Sequence, residues 1–281
     1  MTTDESSWSP DDVDLTQPSV ARVYDYYLGG SHNFESDREF GQRAVAAYPG
    51  LPQAIRGNRS FLRRAVLHAC NEGITQFLDL GSGIPTVGNV HEVAQEVESQ
   101  SRVVYVDHDP VAVAHGTALL ESNPRATAVR ADLRSPQVVL DQAKATGLID
   151  LDRPVALLLI AVVHFMQDDE EPGALIAEYM DALVPGSLLA LSHARSDGPP
   201  ELVEAARVYD RAGSPGRMRL RTRSEVEALF GDLTILEPGV VGMPEWRRDL
   251  TGDQASPAGG TSSRTELGES RAGLAGMGRR D

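Results

Sequence analysis

Cysteine and lysine are almost absent from this chain of 281 residues. Cys70 is the single cysteine, which excludes an internal disulfide, a cysteine-rich zinc site and an iron–sulfur cluster. Lys144 is the single lysine and no Gly-Lys-Ser/Thr sequence occurs, which excludes a P-loop and leaves one poor candidate for Schiff-base chemistry. We therefore predict a protein that binds no metal and does not react through lysine.

Basic residues are outnumbered by acidic ones, 26 Lys and Arg against 41 Asp and Glu, which gives a formal charge of −15. This excess argues against a nucleic-acid-binding surface, because binding phosphates needs a basic face. Long apolar runs are also missing. The longest, residues 155–166, is interrupted by His164 and is shorter than the ~20 residues that span a bilayer. The acidic N-terminus does not resemble a signal peptide, so we expect a cytoplasmic protein without membrane or nucleic-acid partners.

Composition divides the chain into four parts. Residues 1–14 are rich in acidic and small polar residues and are expected to form a flexible acidic tail. Residues 15–72 contain helical patterns and are expected to form an N-terminal helical cap. A strand–helix domain should cover residues 73–250. Residues 251–281 are rich in Gly, Ser, Pro and Arg and poor in large apolar residues, so we expect a disordered tail there.

Three helices are predicted in the cap. Val20, Val23, Tyr24 and Tyr27 follow the spacing of one helical face, and Gly29-Gly30 should end that helix. Residues 36–39 have the pattern of a capping box and should begin a second helix, which Pro49 ends. A third helix is expected over residues 55–71.

Short apolar strands alternate with helical patterns in the rest of the body. This alternation predicts an α/β fold with a Rossmann-like, doubly wound and mostly parallel sheet. The predicted strands are residues 76–80, 102–106, 126–130, 155–161, 187–192 and 233–236.

A glycine-containing loop, Gly81-Ser82-Gly83, follows Asp79 at the end of the first predicted strand. Glycines there let the backbone turn tightly and approach a ligand at the carboxyl edge of the sheet. The third glycine of the dinucleotide fingerprint is replaced by Thr86, which favours a ligand without a phosphate to hold. The alternative is a glycine turn that binds no ligand.

Acidic residues also follow the second and third predicted strands. Asp107 lies 24 residues after Gly83, at a position suited to accept hydrogen bonds from a ribose diol, whereas Asp109 before Pro110 fits a helix cap. Asp132 could accept from an adenine amine while Leu133 packs on the ring, although an Asp after a strand is also an ordinary turn residue.

These features together resemble the class I S-adenosylmethionine (SAM)-dependent methyltransferases over about residues 76–236. Motifs across nearly the whole body resemble one family in particular, the S-adenosyl methyltransferases of high-GC bacteria that were first catalogued as a domain of unknown function. The motifs that carry this second resemblance are residues 21–30, 33–34, 37–38, 58–66, 89–94 and 105–110.

The resemblance implies SAM as the cofactor and 73–250 as the domain that binds it. Gly81, Ser82 and Gly83 would pass under the methionine part, and Asp79 would hold that loop or the amino group. Asp107 would take the ribose hydroxyls, with His108 beside it. The resemblance also implies that Asp132 and Leu133 hold the adenine and that Ala161 to His164 form the floor of the site.

Other candidates come with plain structural alternatives. His164 is the candidate catalytic base, or a histidine satisfied in the core. Asn58 and Arg59 could reach the cofactor carboxylate, or lie on a solvated helix face. The substrate candidates are Tyr24, Tyr27 and Asn33, of which the tyrosines are equally well explained by packing.

An alternating arginine pattern over residues 217–223 suggests an extended edge with one basic face, either a contact for an anionic substrate or a charged edge strand.

The leading functional prediction is a SAM-dependent methyltransferase that acts on a small molecule. A non-catalytic module that senses SAM or its demethylated product is the alternative, since no unambiguous base is visible. A nicotinamide oxidoreductase is disfavoured by Thr86.

Overall fold

The computed structural model describes residues 14–85, 88–211, 216–251 and 272–281. Helices and strands alternate through its central part, as the sequence predicts. The helices are α1 Val20–Tyr27, α2 Glu35–Ala47, α3 Leu51–Asn71, α4 Val90–Val97, α5 Pro110–Leu120, α6 Pro136–Ala145, α7 Pro172–Asp181, α8 Pro200–Tyr209 and α9 Arg223–Ala228. The strands are β1 Gln76–Leu80, β2 Arg102–Asp107, β3 Ala126–Arg130, β4 Ala156–Ile160, β5 Leu188–Ala194, β6 Thr234–Ile235, β7 Val241–Gly242 and β8 Gly273–Arg279.

The strands form one mixed sheet in the order β3-β2-β1-β4-β5-β8-β6, with β7 also paired to β8. β1 to β5 are parallel, and β8 is antiparallel to β5, β6 and β7. This arrangement confirms the predicted Rossmann-like, doubly wound and mostly parallel sheet. The strand order reverses between β1 and β4, and ligands bind at such a reversal, outside the carboxyl ends of the strands.

Strand β8 corrects the prediction of a disordered tail over residues 251–281. Gly273–Arg279 pairs along its whole length with β5 and lies inside the sheet. Its glycines make this position possible, since a Cβ on Gly278 would lie 2.8 Å from Phe230 Cδ1. The strand was missed because close packing here requires small residues, which by composition resemble a linker. Residues 252–271 lie outside the described residues, as do residues 1–13 of the predicted acidic tail.

Helices cover both faces of the sheet. Phe77 faces one apolar core, with Phe61 and Trp246, and Leu78 faces the other, with Tyr179. Successive residues of a strand point to opposite faces, so an uninterrupted apolar strand fits a sheet that is buried on both sides.

The N-terminal cap is built around Asp37. Its carboxylate accepts hydrogen bonds from Phe34 N at 2.8 Å, Ser19 N at 2.9 Å and Arg22 Nε at 2.8 Å. Helix α2 therefore begins after Phe34, and the expected start at a capping box of residues 36–39 is wrong, because Asp37 caps from inside the first turn. Helix α3 begins at Leu51, four residues before the predicted start.

The arginines of residues 217–223 do not form one basic face. Arg221 is buried and donates to Met166 O at 3.1 Å and Asp168 Oδ1 at 2.9 Å. Arg219 pairs with Asp168 and Glu225, and Arg223 is the first residue of α9. The expectation of an extended basic edge is therefore wrong, since these side chains serve different local contacts. No helix in the described ranges is long and apolar enough to cross a membrane.

Candidate active site

A cavity of about 240 Å³, the main chamber, opens where the strand order reverses. It collects the residues that follow β1, β2, β3 and β4, and the start of α1 closes it from the cap side. The predicted cofactor residues that line it are Arg59, Asp79, Gly81, Ser82, Gly83, Asp107, His108, Asp132, Leu133 and Ala161.

The loop after β1 needs its two glycines for different reasons. Gly81 and Gly83 both have a φ of +67°, in the left-handed region that favours glycine. A Cβ on Gly81 would also lie 2.4 Å from Val162 Cγ2, whereas a Cβ on Gly83 would meet no atom within 4 Å. Val162 therefore packs directly on the Gly81 backbone and joins the ends of β1 and β4.

Asp107 connects β2 to the same loop. One carboxylate oxygen accepts from Gly83 N at 2.7 Å and the other from Asp109 N at 2.9 Å. A carboxylate offers about four acceptor positions, so two remain for a ligand in the main chamber. Burial raises the pKa of Asp107 above its usual value. Asp109 caps α5 by accepting from Val111 N at 2.8 Å, as the sequence predicts.

Asp79 is the most deeply placed acid of the chamber. It is 5% exposed, and burial raises its pKa to about 7, against the opposing effect of the Arg59 guanidinium. Arg59 donates to Gly88 O at 3.0 Å. No described residue donates a hydrogen bond to the Asp79 carboxylate. A buried carboxylate beside an arginine fits a ligand that carries both an ammonium and a carboxylate group.

Asp132, Leu133 and His108 form the rim of the chamber. The Asp132 side chain is 48% exposed and is held by Arg134 N at 2.9 Å. Leu133 is partly buried and its carbonyl accepts from Tyr179 Oη at 2.8 Å. His108 is exposed and lies 3.5 Å from Asp107. An apolar side chain and two polar ones in the lining suit a flat heteroaromatic ring with polar edges.

A second cavity of about 80 Å³, the apolar chamber, lies between the cap helices, α8 and β5. The two chambers share four lining residues, here called the junction: Val20, Tyr24, Ala161 and Phe165. Ala161 has a φ of 56°, which is costly for a residue with a Cβ. The backbone after β4 is thus held in an uncommon conformation where the chambers meet.

A chain of hydrogen bonds holds the junction. Ala161 N donates to Ser192 Oγ at 2.9 Å, Ser192 Oγ donates to Asn58 Oδ1 at 2.6 Å, and Asn58 Nδ2 donates to Tyr24 Oη at 2.8 Å. Asn58 therefore lines the apolar chamber and ties the cap to β5. This placement differs from the predicted contact with the cofactor, because its amide is engaged by Tyr24 and Ser192.

The three predicted substrate residues have different positions. Tyr24 lies at the junction, and Tyr27 lines the apolar chamber with its hydroxyl 2.9 Å from that of Tyr209. Asn33 lines neither of these chambers, and its role as a substrate residue stays a prediction. It donates to Asp25 Oδ2 at 2.8 Å and to Gly30 O at 2.9 Å, and so stabilises the loop between α1 and α2.

His164 lines the apolar chamber and is 7% exposed. Neither of its ring nitrogens is hydrogen-bonded to any described residue, and Nδ1 is fully buried. Burial, followed by the nearby His193 and Arg221, lowers the pKa of His164 well below its usual value. The imidazole is therefore neutral at physiological pH and has one nitrogen able to accept a proton.

The neighbouring His193 differs from His164, because both of its ring nitrogens have hydrogen-bond partners. Nδ1 lies 2.7 Å from Ala194 O, and Nε2 lies 3.0 Å from Arg221 Nη1. A carbonyl accepts only and a guanidinium donates only, so the proton is on Nδ1. Burial lowers the pKa of His193 to about 4. It is therefore satisfied within the protein, unlike His164.

Sequence reasoning missed Phe165, Ser192 and Arg134, which line one or both chambers. Ser192 could have been found, since it is the polar end of a predicted strand next to the strand that ends at Ala161. Phe165 and Arg134 each come directly after a predicted site residue in the sequence. Their contacts with the chambers, however, depend on how separate strands pack together.

The residues of the main chamber fit SAM. The buried acids suit its ribose and its positive charges, Leu133 suits its adenine, and the loop at Gly81 leaves no room for a side chain beneath a ligand.

Comparison with known proteins agrees with this fit. The model of a family described as S-adenosyl methyltransferase matches residues 6–281. A solved structure from Thermobifida fusca, described as that of a candidate methyltransferase, is 40% identical, with 98% of this chain and 100% of that chain covered and a TM-score of 0.87. A DUF574 family protein from Streptomyces avermitilis is 39% identical, with 95% and 99% covered and a TM-score of 0.85. Among curated proteins, none matches. The chain belongs to the S-adenosyl methyltransferase family, and it is a SAM-dependent methyltransferase.

Proposed function

We propose that this enzyme methylates a small molecule that enters the apolar chamber, while SAM occupies the main chamber. The observation that carries the proposal is the pair of cavities joined at Tyr24 and Ala161. One is lined by acids and glycines at strand ends, and the other is lined mainly by apolar side chains. A methyl donor and its acceptor need adjacent sites of different chemistry.

Each end of the cofactor has a proposed set of contacts. Asp107 accepts from the ribose hydroxyls with the lone pairs that Gly83 and Asp109 leave free. Asp79 and Arg59 bind the amino and carboxylate groups, above the glycine loop. His108 lies beside the ribose, and Asp132 and Leu133 hold the adenine.

Catalysis is proposed to depend mainly on positioning. SAM supplies a methyl group that its sulfonium has already activated, so the protein needs to align the acceptor and exclude water. Orientation of this kind contributes roughly 7–11 kcal/mol in model reactions. The rigid junction, held by the chain from Tyr24 through Asn58 and Ser192 to Ala161, supplies this alignment. His164 is proposed to accept the proton of an acceptor that arrives protonated.

Several features favour a small acceptor over a macromolecule. The apolar chamber is small and is lined by residues of α1, α3, α8 and β5. The net charge of −15 opposes binding to nucleic acid. A cytoplasmic location stays a prediction.

A labelling experiment tests the proposal. The protein is incubated with SAM that carries a radioactive methyl group and with a bacterial extract separated into small-molecule, protein and nucleic-acid fractions. We expect label in the small-molecule fraction only, and none with Asp107→Ala.

Asp152→Ala is the matched control, because Asp152 is exposed and lines neither chamber, so this variant should retain full activity. Label in protein or nucleic acid would refute a small acceptor. Tight SAM binding without labelling of any fraction would favour the sensor interpretation.

A further inference from the structure

We infer that the acceptor enters the apolar chamber with an uncharged, predominantly apolar group of no more than one ring, and that it donates one hydrogen bond to His164. The inference rests on the proposed function and names the substrate class of that site.

The lining of the chamber excludes charged acceptors. None of its described lining residues is Asp, Glu, Lys or Arg. Most of the lining side chains are apolar, as are those of Leu51, Ile55, Leu202 and Met218. An unpaired charge moved from water into such surroundings is strongly disfavoured. Carboxylates, phosphates and ammonium groups would therefore stay outside.

The polar groups of the chamber are nearly all engaged with one another. The hydroxyls of Tyr27 and Tyr209 pair at 2.9 Å. The Asn58 amide bonds to Tyr24 and Ser192, and both nitrogens of His193 are occupied. Because these groups are hydrogen-bonded to one another, they leave few donors and acceptors for a highly polar ligand such as a sugar.

His164 is the exception. Its ring lines the chamber, and neither nitrogen has a hydrogen-bond partner among the described residues. Nδ1 is fully buried, whereas Nε2 is not among the fully buried atoms, so Nε2 is the nitrogen that a ligand in the chamber can reach. Burial of the ring, followed by the effects of His193 and Arg221, keeps the pKa of His164 well below its usual value, so the ring is neutral and can accept a hydrogen bond. The chamber therefore suits a ligand with one hydroxyl or N–H group.

Volume sets the upper limit on size. The chamber is about 80 Å³, roughly half of the ~150 Å³ cavity known to take benzene. A single ring fits if it extends into the junction or displaces Met218 or Met243, whose flexible side chains line the chamber. A fused ring system exceeds this volume further, so we expect it to bind much more weakly.

Binding of matched probes tests this. Protein saturated with S-adenosylhomocysteine is titrated with phenol, benzene, benzoate and benzylamine, and binding is followed by ligand-observed NMR. Phenol is uncharged at neutral pH. We expect it to bind at least tenfold more tightly than benzoate or benzylamine, and severalfold more tightly than benzene. His164→Leu should remove the advantage of phenol over benzene.

Two alanine variants locate the site. Ala205→Leu fills the chamber and should abolish phenol binding while S-adenosylhomocysteine still binds. Ala46→Leu places the same change on an exposed position of α2 and should alter neither. Equal or tighter binding of a charged probe, no binding of phenol, or phenol binding unaffected by Ala205→Leu would overturn the inference.

The proposed function and the inference on acceptor class can be refuted independently of each other. If label in the extract experiment appears on a charged group of a small molecule, such as a carboxylate, the proposed function stands and the inference on acceptor class is wrong. If no small molecule is labelled, the proposed function fails whatever the probes show.

Discussion

Asp107 accepts a hydrogen bond from the backbone of Gly83 at 2.7 Å. The acid that ends β2 therefore holds the glycine loop that follows β1, and the two predicted cofactor motifs form one unit. The second oxygen of Asp107 binds the backbone of Asp109, which caps α5. One side chain thus joins the loop after β1 to the residue that caps α5.

Substitution of the two loop glycines should separate backbone strain from steric clash. Gly81→Ala and Gly83→Ala both place a Cβ on a residue with a φ of +67°, at a cost of about 1–2 kcal/mol. Only Gly81→Ala adds a clash with Val162. We expect Gly81→Ala to lower the free energy of unfolding further and to weaken SAM binding more than tenfold. Chemical denaturation and calorimetry measure the two effects.

Gly83→Ala serves as the internal control, and only backbone strain should lower its free energy of unfolding. Equal effects of the two substitutions on stability would show that Val162 moves away at little cost.

Asp79 should make the stability of the free enzyme depend on pH. Its pKa is raised from 3.8 to about 7, so the unfolded carboxyl ionises first as pH rises. Its contribution to stability is therefore greatest below pH 4 and is lost between about pH 4 and 7. Asp79→Asn should stabilise the free protein at pH 8, by at most about 4 kcal/mol, and make no difference near pH 4. Urea denaturation at the two pH values measures this.

The same substitution should weaken SAM binding, because the ligand's ammonium loses its partner. Asp132→Asn, on the exposed rim, should change stability at neither pH. An Asp79→Asn variant that is less stable than the wild type at pH 8 would rule out a costly buried carboxylate.

Asn58 should affect turnover more than cofactor binding, since it lines the apolar chamber and not the main one. Asn58→Leu breaks the chain from Tyr24 to Ala161. We expect SAM affinity to change less than threefold and the rate of methyl transfer to fall at least tenfold. Calorimetry and the labelling assay compare the two. A large loss of SAM affinity with normal turnover at saturation would instead support a direct contact with the cofactor.

Strand β8 should be essential for folding. Truncation before residue 272 removes a strand paired to β5, β6 and β7. We expect the truncated chain to lose its cooperative unfolding transition. Asp281→Ala, at the exposed end of the chain, should leave that transition almost unchanged. A truncated chain that still unfolds cooperatively would show that the sheet closes without β8.

The sequence predicted those features that depend on residues close together in the chain, such as strand bounds and helix caps. β1 and β3 have the predicted bounds, because a short apolar run between turn residues identifies a strand. The role of Asp109 as the N-cap of α5 was also predicted, since Asp109 precedes a proline that begins the helix. Both features depend on neighbours in the chain.

Tertiary contacts decided what the sequence could not predict. Asn33 and Asn58 are both buried asparagines of the cap, and only their distant partners show that one braces a loop and the other lines a chamber. β8 contains too few large apolar residues to be predicted as a strand, because its glycines are selected by the close approach of Phe230 and Met243.

A crystal structure with S-adenosylhomocysteine tests the two-chamber account most directly. We predict that the ribose hydroxyls lie within hydrogen-bond distance of Asp107, that the sulfur faces the junction at Tyr24 and Ala161, and that the apolar chamber stays open beside it. Methionine or adenine density inside the apolar chamber, or a ribose without contact to Asp107, would contradict the account.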